Sequence, residues 1–355
     1  MSRMDFLTER MPSERLQFSN LFVMSTGITM SAHPIDITII IVTWNAKHFA
    51  CECLDSLRIF WDNPKVEVIV VDNASSDGTS EVIEQEFPWV HLIRNSANLG
   101  FARANNIGMA ASAGKYICLV NSDVKVPPDC LPGMHVYMEA NPSVGMLGPQ
   151  MLCPNGLIGR SYMRFPTVWR GLCDAFALHR IFRSSRRLSG ILMPDFDNSQ
   201  TAEVDVLNGW FWMVRRQAVN EVGMLDERFF MYGEDIDWCY RFCKAGWKRV
   251  YLSGARAFHY GGASSTVAPT RFYIEMRRAN LQLFRKHTNN IKTYGYLVAT
   301  LLHETLRVMG NCVLILRHKS ERPKAVLKMT RSVACIRWLV SRPMSSIATT
   351  TSRPI

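Results

Sequence analysis

The sequence lacks the cysteine patterns of secreted and zinc-binding proteins. None of its ten cysteines belongs to a CxxC pair, and no two pairs have the spacing of a zinc finger. Most of them lie within apolar runs, where a buried, reduced thiol is the usual state. Because this pattern indicates no disulfide framework, we expect a protein of a reducing compartment.

The first thirty residues are not expected to form a signal peptide, and an uninterrupted membrane-spanning run is missing. A secretory signal needs a basic start and a long apolar core, which Asp5 and Glu9 interrupt here. No stretch reaches the roughly 18 consecutive apolar residues of a transmembrane helix. The nearest candidate, residues 294–316, contains charged side chains such as Glu304. We therefore expect an amphipathic helix that packs against the protein or lies on a surface. Residues 1–34 are predicted to form a poorly ordered extension.

Acidic residues are scarce in the C-terminal quarter of the chain. The net charge is +11, but residues 271–355 contain 16 Lys and Arg against 3 Asp and Glu, while the other 270 residues contain 25 against 27. A basic segment is attracted to anionic lipid headgroups by about 1 kcal/mol per basic side chain near the surface. The rival partner is nucleic acid, but the rest of the chain is slightly acidic, which argues against it. A solubilising tail is the remaining alternative.

Strand-like and helix-like segments alternate from residue 37 onwards. The predicted strands are residues 37–43, 66–71, 90–94 and 115–120, and the predicted helices are residues 47–60, 77–87 and 101–112. Continuous β-branched runs such as the first are typical of strands buried on both faces. The alternation predicts an α/β fold with a mostly parallel, Rossmann-like sheet flanked by helices. Residues 150–200, rich in Pro, Gly and Arg, are predicted to form a partly helical insertion that can cover a site.

A glycine-rich dinucleotide fingerprint is missing after the first strand. Residues 43–47 (TWNAK) stand in its place, so a dinucleotide-dependent oxidoreductase is strongly disfavoured. Ligands of such sheets bind at the carboxyl ends of the strands. Polar residues that a buried sheet does not need follow three of the predicted strands. They are Thr43 and Asn45, then Asp72, and then Asn121, Ser122 and Asp123.

Four side chains are the main candidates for the chemistry. Asp72 can accept hydrogen bonds from a base or a ribose, and Asp123 can bind a hard cation together with substrate phosphates. Asp235 belongs to a carboxylate cluster at a helix start and can take a proton from a hydroxyl. His259, beside two glycines, can bind a metal or a diphosphate. Each has a structural alternative, since carboxylates also stabilise turns and helix N-termini, and a lone histidine is more often structural.

The order of these motifs resembles that of family-2 glycosyltransferases of the GT-A fold, close to the rhamnosyltransferase-like members. The resemblance extends from about residue 37 to residue 265. The matching segments are residues 42–45, 71–78, 95–105, 121–123, 223–230 and 234–237, followed by His259. A chance match of these segments in this order is improbable.

The resemblance implies a role for each site residue. Asp72 contacts the nucleotide base or ribose, and Asp235 acts as the catalytic base. Asp123 and His259 hold a divalent ion, Mg²⁺ or Mn²⁺, at the diphosphate. The usual family motif has Asp where this chain has Asn121, so the metal depends mainly on Asp123. The remaining predicted donor-binding residues are Thr43, Asn45, Asn98, Gly100, Asn121 and Ser122.

The resemblance also implies a reaction and a location. An inverting transfer would move a sugar, with rhamnose favoured, from dTDP-rhamnose or a UDP-sugar to a hydroxyl of a lipid-linked or polysaccharide acceptor. This belongs to cell-surface polysaccharide synthesis, in the cytoplasm and peripherally on the inner face of the membrane. Residues 35–270 would form the GT-A domain and residues 271–355 a basic, helical, membrane-associating segment. The alternatives are a nucleotidyltransferase on a related fold and a nucleotide-sugar-binding protein without transferase activity.

Overall fold

The computed structural model describes residues 35–261 and 269–341, so the predicted N-terminal extension lies outside the described residues. The strands are β1 (Ile37–Thr43), β2 (Val66–Asp72), β3 (His91–Arg94), β4 (Tyr116–Asn121), β5 (Val124–Lys125), β6 (Val144–Leu152), β7 (Tyr162–Met163), β8 (Ala202–Glu203), β9 (Val206–Leu207), β10 (Phe211–Arg215) and β11 (Lys248–His259). The helices are α1 (Lys47–Leu57), α2 (Thr79–Glu86), α3 (Phe101–Ala111), α4 (Cys130–Ala140), α5 (Val168–Ala175), α6 (Leu178–Ile181), α7 (Arg216–Val222), α8 (Glu234–Lys244), α9 (Pro269–His287), α10 (Asn290–Arg317) and α11 (Arg322–Val340).

Strands β1 to β4 form the parallel part of the main sheet. β1 lies between β2 and β4, and β3 flanks β2, with all three pairings parallel. The register places Thr43 opposite Asp72, and Val42 opposite Asn121. The carboxyl ends of β1, β2 and β4 therefore meet at one edge of the sheet, where the sequence predicts a ligand site.

The second half of the sheet contains a strand of opposite direction. β10 runs antiparallel between β4 and β6, and β11 pairs in parallel with β6. The far end of β11 then pairs with the short strand β5, which places His259 opposite Val124. The resulting order is β3-β2-β1-β4-β10-β6-β11-β5, with β8 also paired to β11. The predicted α/β architecture is confirmed, and the sheet is mixed because β10 reverses the strand direction.

Helices cover both faces of this sheet. Ile39 of β1 shares one core with Leu54 of α1, and Ile40 shares the other core with Met109 of α3 and Trp238 of α8. Alternate side chains of a strand point to opposite faces. Because both faces of β1 are covered, its residues are β-branched without interruption, with Thr38 and Thr43 buried as well, which explains the continuous run seen in the sequence.

The C-terminal helices are attached to the sheet through α9. Its Ala279 and Leu283 join the core that contains α3 and α8. α10 contacts α5, α9 and α11, and its buried Glu304 accepts a hydrogen bond from Tyr273 (2.6 Å) and pairs with Arg277 (2.7 Å). Among the described helices, α10 alone is long and apolar enough in composition to cross a membrane. The predicted boundary at residue 270 stays a prediction.

Two helical glycines are expected to respond in opposite ways to replacement by alanine. A methyl group at Gly108 of α3 would lie 2.5 Å from Ile40 Cγ2 of β1, whereas nothing lies within 4 Å of one at Gly133 of α4. Gly108→Ala should lower the free energy of unfolding by about 1–3 kcal/mol, because overpacking outweighs the gain in helix propensity. Gly133→Ala should raise it by about 0.5–1 kcal/mol. Urea unfolding measures both changes, and an undiminished stability of Gly108→Ala would contradict the close packing of α3 on β1.

Candidate active site

Asp72, the last residue of β2, holds the turn that follows its strand. It is 3% exposed and accepts hydrogen bonds from Ser75 Oγ (2.5 Å) and Ser80 Oγ (2.6 Å). The backbone N–H of Ser75 donates to the same carboxylate at 3.3 Å. Asp72 therefore stabilises the turn, as its structural alternative predicted. Its contact with a nucleoside stays a prediction.

The loop after β1 is bound to that turn. Asn45 Oδ1 accepts a hydrogen bond from the Ser76 N–H (2.8 Å), and the Asn45 N–H donates to Ser75 Oγ (2.8 Å). Thr43, the last residue of β1, is 1% exposed, and its Oγ1 has no hydrogen-bond partner among the described residues. Buried hydroxyls are normally hydrogen-bonded, so this unpaired oxygen is unusual, and the predicted contact of Thr43 with the donor stays a prediction.

Residues 95–101 are ordered by Asn73 and by the aromatic run before α8. Asn73 donates a hydrogen bond to Asn98 Oδ1 at 2.9 Å. Gly100 has a φ of 85°, and a methyl group there would lie 2.6 Å from Phe230 O. The N–H of Phe101 donates to the same oxygen at 2.8 Å. Glycine is needed here for a close backbone approach, and the predicted contacts of Asn98 and Gly100 with the donor stay predictions.

Asp123 and His259 are adjacent although they are far apart in the sequence. His259 Nε2 lies 3.1 Å from Asp123 Oδ1, and the two side chains are 15% and 9% exposed. The pairing of β5 with β11 brings them together, and the Tyr260 N–H donates to Asp123 O at 3.0 Å. The ring of Trp210 stacks on the imidazole with 5.3 Å between centroids.

This pair fits a divalent cation that a substrate helps to hold. It offers one carboxylate and one imidazole, and the neighbouring Asn121 and Ser122 are partly exposed. In residues 35–261 and 269–341, no group of three His, Cys, Asp or Glu side chains is placed to hold a metal ion. A cation such as Mg²⁺ often has only one or two protein carboxylates and completes its shell with phosphates and water. The residues therefore suit a cation bound together with a diphosphate.

Asp235 lies in the first turn of α8, after two residues in the left-handed region. These are Tyr232 (φ 67°) and Gly233 (φ 83°). The Ile236 N–H donates to Asp235 Oδ1 at 2.8 Å. Burial raises the pKa of Asp235, and the N–H groups of Ile236 and Gly209 act against this rise without cancelling it. A half-buried carboxylate of raised pKa is suited to general base catalysis.

The backbone of residues 208–210 joins Asp235 to the Asp123–His259 pair. A methyl group added to Gly209 would lie 3.5 Å from Asp235 Cβ, so the two residues are in contact. The next residue, Trp210, stacks on His259. Two consecutive residues thus touch the candidate base and the candidate cation site, which places both around one region at the sheet edge.

The two other carboxylates of the cluster lie in opposite electrostatic surroundings. Glu234 is 5% exposed, its Oε2 has no partner among the described residues, and burial followed by the charge of Asp235 raises its pKa well above the usual range. Asp237 is fully buried and bonds to His287 and Lys286 at 2.6 Å each. Burial acts to raise the pKa of Asp237, but these bonds outweigh it and lower the pKa. Of the three carboxylates, Asp235 alone is partly exposed.

Comparison with known proteins assigns the family. The model of the family described as glycosyl transferase family 2 matches residues 38–223, which is more than half of the chain. The chain belongs to this family. The resemblance inferred from the motifs is confirmed, and this glycosyltransferase is an enzyme of the hexosyltransferase type.

Two curated relatives of this glycosyltransferase are rhamnosyltransferases. One is the N-acetylglucosaminyl-diphospho-decaprenol L-rhamnosyltransferase of Mycobacterium tuberculosis, 32% identical over 238 residues that cover 64% of this chain and 76% of the relative. The other is the dTDP-rhamnosyl transferase RfbF of Shigella flexneri, 24% identical over 279 residues that cover 75% and 86%.

Solved structures confirm the GT-A fold. The mannosyltransferase PcManGT from Pyrobaculum calidifontis, in complex with GDP-Man and Mn²⁺, is similar with a TM-score of 0.53 and 16% identity, over 86% of this chain and 88% of the other. GalNAc-T7 with UDP, GalNAc and Mn²⁺ is similar with a TM-score of 0.51 and 13% identity, over 88% and 57%.

The structure adds residues that the sequence did not single out. Gly209 and Trp210 connect the two halves of the site, and Glu234 is a buried carboxyl beside the candidate base. The available signal was the segment NGWFW at residues 208–212, where an Asn-Gly pair typical of a turn precedes an aromatic run. The roles of all these residues stay predictions.

Replacing Glu234 and Asp237 by their amides is expected to change stability with opposite signs. Because the pKa of Glu234 is raised in the folded protein, its side chain contributes fully to folding stability only below the ordinary Glu pKa of about 4.3. That contribution is lost as the pH rises. Glu234→Gln should therefore gain stability relative to the parent protein as the pH rises. The pKa of Asp237 is lowered, so its charged form stabilises the folded protein. Asp237→Asn should therefore lower the free energy of unfolding by about 3 kcal/mol near neutral pH, and by less as the pH falls below about 4.

Urea unfolding between about pH 3 and pH 8 measures both differences. The exposed Glu86→Gln controls for the loss of one negative charge. Parallel pH dependences for the Glu234 and Asp237 variants would show that the two carboxyls do not lie in opposite surroundings.

Proposed function

We propose that this glycosyltransferase transfers a sugar, with rhamnose favoured, from a dTDP- or UDP-linked donor to a hydroxyl of a lipid-linked diphosphate glycan, with inversion at the anomeric carbon. The single observation that carries the proposal is that Gly209 touches Asp235 while the adjacent Trp210 stacks on His259 of the Asp123–His259 pair. The names of the two relatives support this donor and acceptor, since one acts on a diphospho-decaprenol-linked sugar and the other is a dTDP-rhamnosyl transferase.

The donor is expected at the edge formed by β1, β2 and β4. Thr43 and Asp72, the paired last residues of β1 and β2, would border the nucleoside. Asp123 and His259, with the amide of Asn121, would hold Mg²⁺ or Mn²⁺. When bound there, the cation would offset the negative charge of the diphosphate leaving group. Two solved structures of this fold are complexes with Mn²⁺ and a nucleotide or nucleotide sugar, which supports this class of ligand.

Asp235 would act on the acceptor. Its raised pKa makes it a stronger base than an exposed aspartate, and the neighbouring Glu234, whose pKa is raised further, favours its own neutral form. Asp235 takes the proton of the acceptor hydroxyl as that oxygen bonds to the anomeric carbon and the bond from this carbon to the diphosphate breaks. One displacement inverts the centre, and kcat/KM should fall as the pH drops through the raised pKa of the base.

Asp235→Asn is expected to lower turnover by at least about 100-fold without unfolding the protein, because a general base contributes about 10²–10⁴-fold. The assay measures nucleoside diphosphate release from dTDP-, UDP- and GDP-sugars with Mg²⁺ and a membrane lipid extract, with and without EDTA. The exposed Asp62→Asn is the matched control. Near-normal turnover of Asp235→Asn would exclude it as the base, and donor binding without release by the parent protein would support the alternative of an inactive binder.

The C-terminal helices would hold the enzyme on the inner face of an anionic membrane. Apart from Leu314, the exposed large apolar side chains of α10 are Ile291, Tyr294, Val298, Met309, Val313 and Leu316. Successive members of this set are separated by three or four positions or, between Val298 and Met309, by about three helical turns. They therefore lie on one side of the helix and form a stripe along it. The buried residues of α10 are Thr293, Tyr296, Ala299, Thr300, Glu304 and Asn311. An apolar outer stripe within a segment of 16 basic and 3 acidic residues suits a helix lying in the plane of a membrane surface.

Val298→Asp combined with Leu316→Asp is expected to weaken binding to phosphatidylglycerol vesicles at least about tenfold, because two aliphatic side chains no longer enter the lipid. The two positions are 60% and 79% exposed, so folding should not change. Val136→Asp on α4, at a position that is 66% exposed, is the matched control. Equal vesicle binding by the double variant and the control would contradict membrane docking through α10.

A further inference from the structure

An open pocket of about 560 Å³ lies beside α5, outside the region of the candidate active site. Its walls include Trp169, Arg170, Arg186 and Arg187. The volume falls within the range of small-molecule sites, about 300–1,000 Å³, and exceeds what a single phosphate needs. The pocket belongs to the arginine-rich insertion between β7 and β8.

The walls of the pocket are held by specific contacts. The Trp169 indole N–H donates to the backbone oxygen of Arg187 at 3.0 Å, which joins α5 to the segment opposite. Thr167 caps α5 by accepting a hydrogen bond from the Arg170 N–H at 3.1 Å. The Arg170 guanidinium donates to Phe165 O at 2.6 Å. The indole ring is therefore fixed as an apolar wall next to the arginines.

Positive charge in the pocket is not balanced by acidic side chains. Among the described residues, Arg186 and Arg187 form no ion pair, and Arg170 has only Asp205, at 3.6 Å. Burial lowers the pKa of Arg170, and although Asp205 acts against this, the positive charges of Arg164 and Arg186 add to it. Guanidinium groups bind phosphates with paired, charge-assisted hydrogen bonds. The pocket is thus suited to a phosphate-bearing ligand that also has an apolar part.

The position of the pocket connects the candidate base with α10. Asp205, beside Arg170, precedes Gly209 by four residues, so their Cα atoms are at most about 14 Å apart, and Gly209 touches Asp235. On its other side, α5 packs on α10, where a methyl group at Gly171 would lie 3.2 Å from the ring of Tyr296. The pocket therefore adjoins α5, which packs on α10, and lies near the chain segment that leads to Gly209 and Asp235.

We propose that this pocket binds the diphosphate of a polyprenyl-diphosphate-linked acceptor. The arginines contact the phosphates, Trp169 borders the first isoprenoid or sugar unit, and the polyprenyl chain continues towards the membrane beside α10. The sugar hydroxyl then extends towards Asp235. This inference rests on the proposed function and deepens it by naming the acceptor's anchoring site.

The test compares Arg186→Ala/Arg187→Ala with Arg180→Ala/Arg183→Ala, a matched control from the same segment that lies outside the pocket lining. All four side chains belong to exposed residues, so each variant should fold. Binding is measured with phosphatidylcholine vesicles that contain a polyprenyl diphosphate, and with vesicles of equal charge that contain phosphatidylglycerol instead. The pocket variant should bind the diphosphate vesicles at least about tenfold more weakly, and the control variant should not.

The transferase assay provides a second readout. The pocket variant should show a raised acceptor KM with little change in kcat, and unchanged release of nucleoside diphosphate from the donor alone. Equal loss in both double variants, or equal binding of the two vesicle types by the parent protein, would overturn the proposal in favour of a general charge effect or a phospholipid surface. If no donor is turned over, selective binding of the lipid diphosphate that the pocket variant loses still supports the pocket as the diphosphate-binding site. If transfer occurs and the pocket variant leaves the acceptor KM unchanged, the assignment of the pocket as the acceptor site is wrong while the proposed function stands.

Discussion

The backbone of residues 208–210 is the constraint on which the arrangement of the site depends. Gly209 admits the side chain of Asp235, and Trp210 stacks on His259, which in turn contacts Asp123. A Cβ at position 209 would lie tightly against the ring of Trp212, at 3.2 Å, and in ordinary contact with Asp235 Cβ, at 3.5 Å, so little room remains for a larger side chain. Because β10 follows directly and pairs with β4, the sheet itself positions this segment. The chemistry proposed for two distant parts of the sequence thus depends on one short connection.

The helix that carries the candidate base is held in turn by α9. Asp237 bonds to Lys286 and His287, and Lys286 also pairs with Asp226 at 2.6 Å. A methyl group at Gly233, in the turn before α8, would lie 2.9 Å from Ala279 of α9. α9 begins the segment that the sequence predicts to associate with a membrane. The helix therefore also supports the site. Such a connection links the orientation of the base to the helices that we propose to meet the membrane.

The sequence predicted the parallel part of the fold because its signals are local. Continuous β-branched runs such as Ile37–Thr43 reflect burial on both faces, and polar residues at strand ends are visible without tertiary information. The reversal of β10 was not predictable, since an apolar run such as FWMVR has no directional signal. The meeting of His259 with Asp123 depends on the return of β11 to the short strand β5, across 136 positions, and only the family resemblance pointed to it. Likewise, the burial of Glu234 and the contact of Gly209 with Asp235 arise from packing that periodicity does not report.

The most direct test of the central claim, that Asp123, His259 and Asp235 act on one donor, is a crystal structure with Mn²⁺ and the nucleotide sugar that the enzyme turns over. The position of Mn²⁺ would be found from its anomalous scattering. Our account predicts Mn²⁺ bound to Asp123 beside His259, the diphosphate next to it, and the anomeric carbon between this site and Asp235. A nucleotide bound with Mn²⁺ away from Asp123, or a sugar that lies out of reach of Asp235, would contradict the account.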